Sequence, residues 1–479
     1  MSKHPVSKKI GLILGPIFFI TLQALPFEIV SEKADTVIAT ALWMVSWWIT
    51  EAVSISVTSL LPLLLFPLFK VMPMTEVGSN YGSPIVFLFF GGFVLALALE
   101  KVNLHKRIAL NIIKKTGTTP NKVILGFMIA TAFMSMWISN TASTVVMLPI
   151  AMSVIKLLIN DSDGFTKNDQ NFALSIMLGI AFSANAGGIA TVIGTPPNSI
   201  LIGLLENEYH IEISFFKWML VGLPFSIILI TIIYFILVKW MFPNTGLVFN
   251  ASKEVINVEL QKLGKTSPKE KHVLAIFGTL VFLWIFRSLI NSLIPGLALS
   301  DTVISVFGAV ALFTIPFNLK KGDFILIWND TQKLAWGILI LFGGGLALAK
   351  GMSSSGIVNI VATTISNSNI SILLMASLLI ILMLFMTELM SNVALVAVLA
   401  PVVAGIALGL EVPLLYLLIP VTIASSCAFM LPMATPPNAI VFASGFIKVN
   451  QMARIGIVIN IIAIVLLILL FKFILPLVF

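Results

Sequence analysis

Apolar runs of about 18 residues or more recur from one end of this chain to the other, and no other feature restricts its fold so severely. A helix of that length matches the hydrocarbon core of a bilayer. There, only helices and closed barrels satisfy their own backbone polar groups. The runs 10–28, 36–52, 53–70 and 84–100 follow one another within the first hundred residues. A soluble chain of 479 residues needs a polar shell, yet this one is 59% hydrophobic, 10% charged and has a mean hydropathy of +1.09. The sequence therefore specifies an all-α polytopic membrane protein embedded in the lipid bilayer. The first run has basic flanks but no small-residue cleavage site, so it reads as a retained span. The net charge of +8 does not indicate nucleic acid, because the lysines cluster between spans, as the positive-inside rule requires. Cys427 is the single cysteine, which excludes an internal disulfide.

Polar side chains inside such runs are costly unless they face protein, water or a ligand. Ser139-Asn140-Thr141 interrupts the apolar stretch 123–158, and Ser391-Asn392-Val393 interrupts a second one. A polar break at mid-run favours a re-entrant hairpin over one straight span. Two further spans are interrupted by Gly194-Thr195-Pro196-Pro197-Asn198 and Ala434-Thr435-Pro436-Pro437-Asn438. Two consecutive prolines cannot sit inside a helix, but Thr195 suits an N-cap with Pro196 in the first turn. Each of these spans should be two half-helices.

The interruptions are repeated. Gly91 matches Gly343, Ser135 matches Thr387, Asn140 matches Asn392 and Pro149 matches Pro401, at a constant shift of 252 positions. Thr195 matches Thr435 at a shift of 240, the difference being the polar loop 160–171 that the second half lacks. Matched blocks in one order indicate duplication. The stretch 101–122 carries Lys101, Lys106, Arg107, Lys114, Lys115 and Lys122, with Ile108, Ile112 and Ile113 on one helical face; its counterpart 351–371 carries no lysine or arginine. The first is expected on the cytoplasmic surface and the second outside, so the copies run in opposite senses. Inverted repeats with broken helices are a secondary-transporter architecture. Lys3, Lys8 and Lys9 place the N-terminus in the cytoplasm and, by span count, the C-terminus outside.

Two hairpin tips and two proline breaks meeting at the pseudo-two-fold axis would form one site. Half-helix N-termini offer N–H groups to an anion, and Asn, Ser and Thr oxygens are hard neutral ligands for an alkali cation. Ala142, Gly194, Ala394 and Ala434 would admit close backbone approach. The aspartates lie in loops or at span edges, which argues against an intramembrane aspartyl protease, and the four histidines lie outside span centres. Glu388 reads equally as a proton site or a paired structural carboxylate, and Arg287 as a snorkelling or dimer-interface charge.

These residues resemble the divalent anion/sodium symporter family, whose signature is similar to the run 425–441, with its paired serines, Phe429, Pro432, Ala434, Asn438 and Val441. The resemblance implies a homodimeric elevator transporter with about eleven spans, two re-entrant hairpins and two broken helices. It also implies one sodium site at Ser135, Ser139, Asn140 and Gly194, and a second at Thr387, Asn392 and the Met390 and Ala434 backbones. Substrate carboxylates would meet Asn140, Thr141, Thr195 and Pro196 from one half and Ser391, Asn392, Thr435 and Pro436 from the other. Val393 departs from the full Ser-Asn-Thr motif and lacks its hydroxyl.

The expected organisation is scaffold helices over 1–83, a first transport half over 84–214, scaffold and cytoplasmic linker over 215–335, a second transport half over 336–447 and a C-terminal helix over 448–479. The expected activity is sodium-coupled uptake of C4-dicarboxylates such as succinate, malate or fumarate. Alternatives are sodium-independent exchange of dicarboxylates or 2-oxoglutarate, and sodium-coupled citrate or sulfate transport. An embedded enzyme is disfavoured by the lack of a nucleophile–base or metal set.

Overall fold

The structure, a computed structural model, describes residues 6–24, 31–117, 119–159, 166–243, 252–294, 296–318, 322–367 and 370–479. Lys3, His4, the first half of the polar loop 160–171 and Lys320–Lys321 lie outside the described residues. Helices account for the architecture, and no strand forms among the described residues.

The first helices are α1 (Val6–Ala24) and α2 (Glu32–Thr50), packed together. The expected span 53–70 is broken into α3 (Ile55–Thr58) and α4 (Leu61–Leu68), where Pro62 removes a backbone donor. A short helix that the apolar pattern does not reveal, α5 (Met74–Tyr81), follows, and its Tyr81 hydroxyl donates to the Ser59 carbonyl at 2.5 Å. Then come α6 (Pro84–Lys101), α7 (Leu104–Thr116), α8 (Pro120–Ser135), α9 (Asn140–Ile159), α10 (Lys167–Gly188), α11 (Pro196–Tyr209) and α12 (Phe215–Phe235). The linker holds α13 (Ser252–Leu263), followed by α14 (Pro268–Leu293) and α15 (Asp301–Thr314). The order of α6 to α12 then returns as α16 (Trp336–Ser354), α17 (Ile357–Ser366), α18 (Ile372–Met386), α19 (Asn392–Gly409), α20 (Leu414–Ser425), α21 (Pro436–Phe442) and α22 (Val449–Leu469), with α23 (Leu475–Val478) at the end. Both α12 and α22 run into a π-helical turn, Ile236–Met241 and Leu470–Ile474.

Local chemistry sets these boundaries. Five helices open on Ser-Pro or Thr-Pro (Pro84, Pro120, Pro196, Pro268, Pro436), the preceding residue being extended and the proline giving up an N–H that has no partner in a first turn. Among the described residues, seven helices are long and apolar enough to cross a bilayer, and shorter apolar helices include those over 140–156, 372–386 and 414–425. The short ones are the hairpin arms and half-helices anticipated from the polar breaks.

Packing repeats as well. Helix α8 lies against α10, and α18 against α20; α12 lies mainly against α10, and α22 against α18 and α20. The boundary at 215 separates α12 from the first half, yet its packing groups it there. A methyl group at Gly222 on α12 would collide with the Ile189 carbonyl, and one at Gly456 on α22 with the Phe429 carbonyl. Each helix therefore needs glycine where the loop of a broken helix presses on it.

Helix α7 buries Leu104, Ala109, Leu110 and Ile113 and exposes Lys114 and Lys115, the amphipathic pattern expected of a surface helix. Its Arg107 pairs with Glu270 at 2.5 Å and donates to the carbonyls of Leu263 and Gly264, and Lys106 pairs with Glu259 at 2.8 Å. The hydrogen bonds from Lys106 and Lys262 hold the Glu259 carboxyl below the usual carboxylate range. The snorkelling reading of Arg287 is corrected. Its buried guanidinium pairs with Glu212 at 2.8 Å and Asp301 at 3.1 Å, and Asp301 also accepts from the Phe215 N–H at 2.6 Å. That network ties α14 and α15 to the start of α12.

Candidate functional site

The hairpin tips and the proline breaks converge on one cavity of about 900 Å³. From the first half it is lined by Ser139, Asn140, Thr141, Gly194, Thr195 and Pro196. From the second half it is lined by Met390, Ser391, Asn392, Ala434, Thr435 and Pro436. Ser135 and Thr387 are fully buried just behind the wall. The residues expected to hold sodium or substrate are thus all at the cavity or one hydrogen bond from it. Lys8 and Glu51, an ion pair at 3.7 Å, are the only charged lining residues among those described, and the Glu51 side chain is largely exposed. Helices α9, α11, α19 and α21 all begin at the wall, so their amide ends, each roughly half a unit of positive charge, face the cavity.

Each half builds a matching oxygen cluster. The Ser135 hydroxyl lies 2.6 Å from the Asn140 side-chain oxygen and 2.7 Å from the Ala184 carbonyl. The Thr387 hydroxyl lies 2.7 Å from the Asn392 side-chain oxygen and 2.6 Å from the Ser425 carbonyl. One hydroxyl proton cannot serve both acceptors, so with the amide oxygen inward each cluster has more acceptors than donors. Around Asn140 the imbalance extends further: the amide atom facing Ser135 also has the Ala184 and Gly194 carbonyls at 3.3 Å and meets acceptors alone. Two arrangements satisfy that ring. Either the amide turns its NH2 inward, or a cation enters and the amide oxygen ligates it.

The broken-helix loops are strapped alike. Asn198 donates to the Thr191 carbonyl at 2.8 Å and the Gly188 carbonyl at 3.3 Å, while Asn438 donates to those of Leu431 and Ala428, both at 3.1 Å. These asparagines close each Thr-Pro-Pro-Asn motif, and their repetition was the legible signal for them. The surroundings of Glu388 are those of a structural anchor. Its Oε1 accepts from the N–H groups of Phe429 (2.8 Å) and Met430 (3.0 Å) and from Asn460 Nδ2 (2.8 Å). Its Oε2 accepts from the Leu431 N–H at 3.1 Å. In the first half the corresponding loop is held by Trp218, whose indole N–H donates to the Ile189 carbonyl at 3.0 Å. Asn185, buried on α10 and reaching into the second half, escapes sequence reasoning because its repeat counterpart is a serine.

A polytopic helical bundle whose broken helices enclose an oxygen-rich cavity is the architecture of a membrane protein that holds a small polar solute. The chain belongs to the sodium:sulfate symporter transmembrane family, whose profile matches residues 7–478. It is 41% identical over 479 residues to the sodium-dependent dicarboxylate transporter SdcS of Staphylococcus saprophyticus, covering 99% of this chain and 92% of that protein. The SdcS of Staphylococcus aureus strain USA300 is 41% identical over 484 residues, covering 99% and 93%. Two solved transporters share the fold at low identity. The YdaH transporter of Alcanivorax borkumensis gives a TM-score of 0.57 at 11% identity, covering 98% of each chain. MtrF of Neisseria gonorrhoeae, described as illuminating a class of antimetabolite efflux pumps, gives 0.52 at 13%, covering 98% of this chain and 94% of that one.

Proposed function

We propose that this protein is a sodium-coupled symporter of C4-dicarboxylates such as succinate, malate or fumarate, with sodium as a co-transported substrate. The observation that carries the reading is the convergence of a hydroxyl, an asparagine amide and a backbone carbonyl on one point at Ser135–Asn140–Ala184 and again at Thr387–Asn392–Ser425, each a set of neutral oxygens suited to an alkali cation. Ser139 and Gly194 complete the first cation site, and Met390 and Ala434 the second. The relatives named above as sodium-dependent dicarboxylate transporters support sodium and a dicarboxylate as the pair carried.

The two asparagines link ion to anion. When a cation takes the side-chain oxygen of Asn140 or Asn392, the NH2 of the same amide is released to donate to a substrate carboxylate. Thr141, Thr195 and Pro196 complete the anion's contacts on one side, and Ser391, Thr435 and Pro436 on the other. Apart from the Lys8–Glu51 pair, the lining is neutral. Helix ends contribute up to about 2 kcal/mol each, less than the cost of desolvating two carboxylates. Accompanying cations make up the difference.

The mechanical reading is an elevator. A transport body comprises the hairpins α8–α9 and α18–α19, the broken helices α10–α11 and α20–α21, and α12 and α22, which pack on them. It moves against a scaffold of the remaining helices in a homodimer, so that α6, α7, α16 and α17, expected within the transport halves, belong to the scaffold instead. The repeats are inverted, with the N-terminus cytoplasmic and the C-terminus outside. The test is labelled succinate uptake into proteoliposomes of the purified protein. Uptake should require a sodium gradient and rise steeply with sodium, reflecting more than one ion per dicarboxylate. Equal uptake in choline or potassium would overturn the reading in favour of exchange.

A further inference from the structure

Asn185 is a cavity-lining side chain of the first half that hydrogen-bonds the second. It is 1% exposed, and its Nδ2 lies 3.0 Å from Thr435 Oγ1, 3.3 Å from Asn438 Oδ1 and 3.4 Å from the Ala428 carbonyl. Its orientation is forced. Asn438 uses its own NH2 on the Ala428 and Leu431 carbonyls, so its oxygen can only accept, and a backbone carbonyl can only accept. The end of Asn185 that meets both must be the NH2.

The consequence falls on Thr435. Its hydroxyl oxygen accepts one of the two Asn185 Nδ2 protons, the contact at 3.0 Å being the shortest of the three that compete for them, and, as the N-cap of α21, it accepts from the Asn438 N–H at 3.4 Å. Both lone pairs are then engaged, and the one remaining function of that hydroxyl is to donate its proton. No acceptor for that proton is found among the described residues, and Thr435 lines the cavity. The first half has no such arrangement. Thr195 makes no side-chain capping bond at the head of α11. Because Thr387 bonds the Ser425 carbonyl as Ser135 bonds that of Ala184, the position matching Asn185 is Ser426, whose buried hydroxyl has no partner among the described residues.

We propose that Asn185 is a positioning residue for substrate selection: it fixes the Thr435 hydroxyl as an obligate donor to a substrate carboxylate, while Thr195 stays free to donate or accept. The proposal rests on the reading of Thr435 as a substrate contact. It makes the two ends of the anion site chemically unequal. The end at Thr435 takes only an acceptor, such as an ionised carboxylate. The end at Thr195 tolerates a group that also donates.

A double-mutant cycle in proteoliposomes tests this, with each variant first shown to be folded and monodisperse. Thr435→Val should raise the succinate KM about tenfold, the loss of one hydrogen bond to a charged group. Asn185→Ala should raise it severalfold, with maximal rate and half-saturating sodium near parental values. The double variant should match Thr435→Val alone, because Asn185 has then nothing to orient. A parental KM for Thr435→Val would overturn the substrate-contact reading itself. A raised KM for Thr435→Val beside a parental KM for Asn185→Ala, or an Asn185→Ala effect of equal size in both backgrounds, would overturn the positioning role alone.

Discussion

Substituting Glu388 by glutamine separates two roles that a carboxyl inside a transporter can play. Its two oxygens accept from the backbone N–H groups of Phe429, Met430 and Leu431 and from Asn460 on α22. Glutamine keeps one oxygen. The least costly orientation leaves that oxygen where three donors converge and sets the new NH2 against the Leu431 N–H. Losing charge assistance weakens each retained bond by about 1 kcal/mol, and the orphaned N–H adds about 1–3 kcal/mol. Relief of the buried charge returns part of this, so a net loss of about 3 kcal/mol is expected.

The loop so loosened leads directly into Ala434 and Thr435, so the damage should reach the site. The assay is the thermal midpoint of the purified protein in detergent, with and without sodium and succinate. Glu388→Gln should melt several degrees below the parent, and Asn460→Ala should do so by less. Glutamine is also the neutral analogue of a protonated carboxyl. If Glu388 carried a proton during transport, Glu388→Gln would melt like the parent while its uptake lost its pH dependence. That outcome would refute the anchoring argument.

Two further results are expected. Ser135→Ala and Thr387→Ala should each raise the sodium concentration for half-maximal uptake more than they lower the maximal rate, since each removes one oxygen from a cluster without touching the anion side; sodium titrations of initial uptake check this. In a background lacking Cys427, a cysteine replacing the exposed Lys115 should react with an impermeant thiol reagent only from the cytoplasm, and one replacing the exposed Ser354 only from outside; reaction of both from one side would refute the inverted repeat.

What the sequence made legible follows from the cost of polar groups in hydrocarbon. Ser139-Asn140, Ser391-Asn392 and the two Thr-Pro-Pro-Asn breaks stand out because nothing but function or packing tolerates them there, and all of them reach one cavity. Repetition doubled the signal. The features that escaped are those whose partners are distant in sequence. Arg287 looks unpaired until Glu212 and Asp301 arrive from neighbouring elements. Glu388 is ambiguous until three consecutive amides of a loop 41 to 43 residues away close on it. Asn185 carries no signal, because the repeat that exposes the other residues breaks at its position. Helix α5 is hidden for a simpler reason: Met74–Tyr81 is only eight residues long, and its three apolar positions, Met74, Val77 and Tyr81, sit among glycine, serine and asparagine, too few to stand out.

The ring of acceptors around Asn140 also bears on the order of binding. Without a cation, the amide satisfies Ser135, Ala184 and Gly194 best with its NH2 inward, which leaves its oxygen to face the cavity and repel an anion. A sodium ion reverses the preference, drawing the oxygen inward and turning the NH2 toward the substrate. Sodium should therefore bind first and create the donor that the dicarboxylate needs. Asn140→Asp isolates this step, since a carboxylate ligates the ion at least as well but has no NH2 to offer. Sodium should stabilise that variant against heat at least as strongly as it does the parent, whereas succinate added in the presence of sodium should stabilise only the parent. Equal stabilisation of both by succinate would show that the Asn140 amide is not the anion's donor, and the ordering would have to arise elsewhere in the cavity.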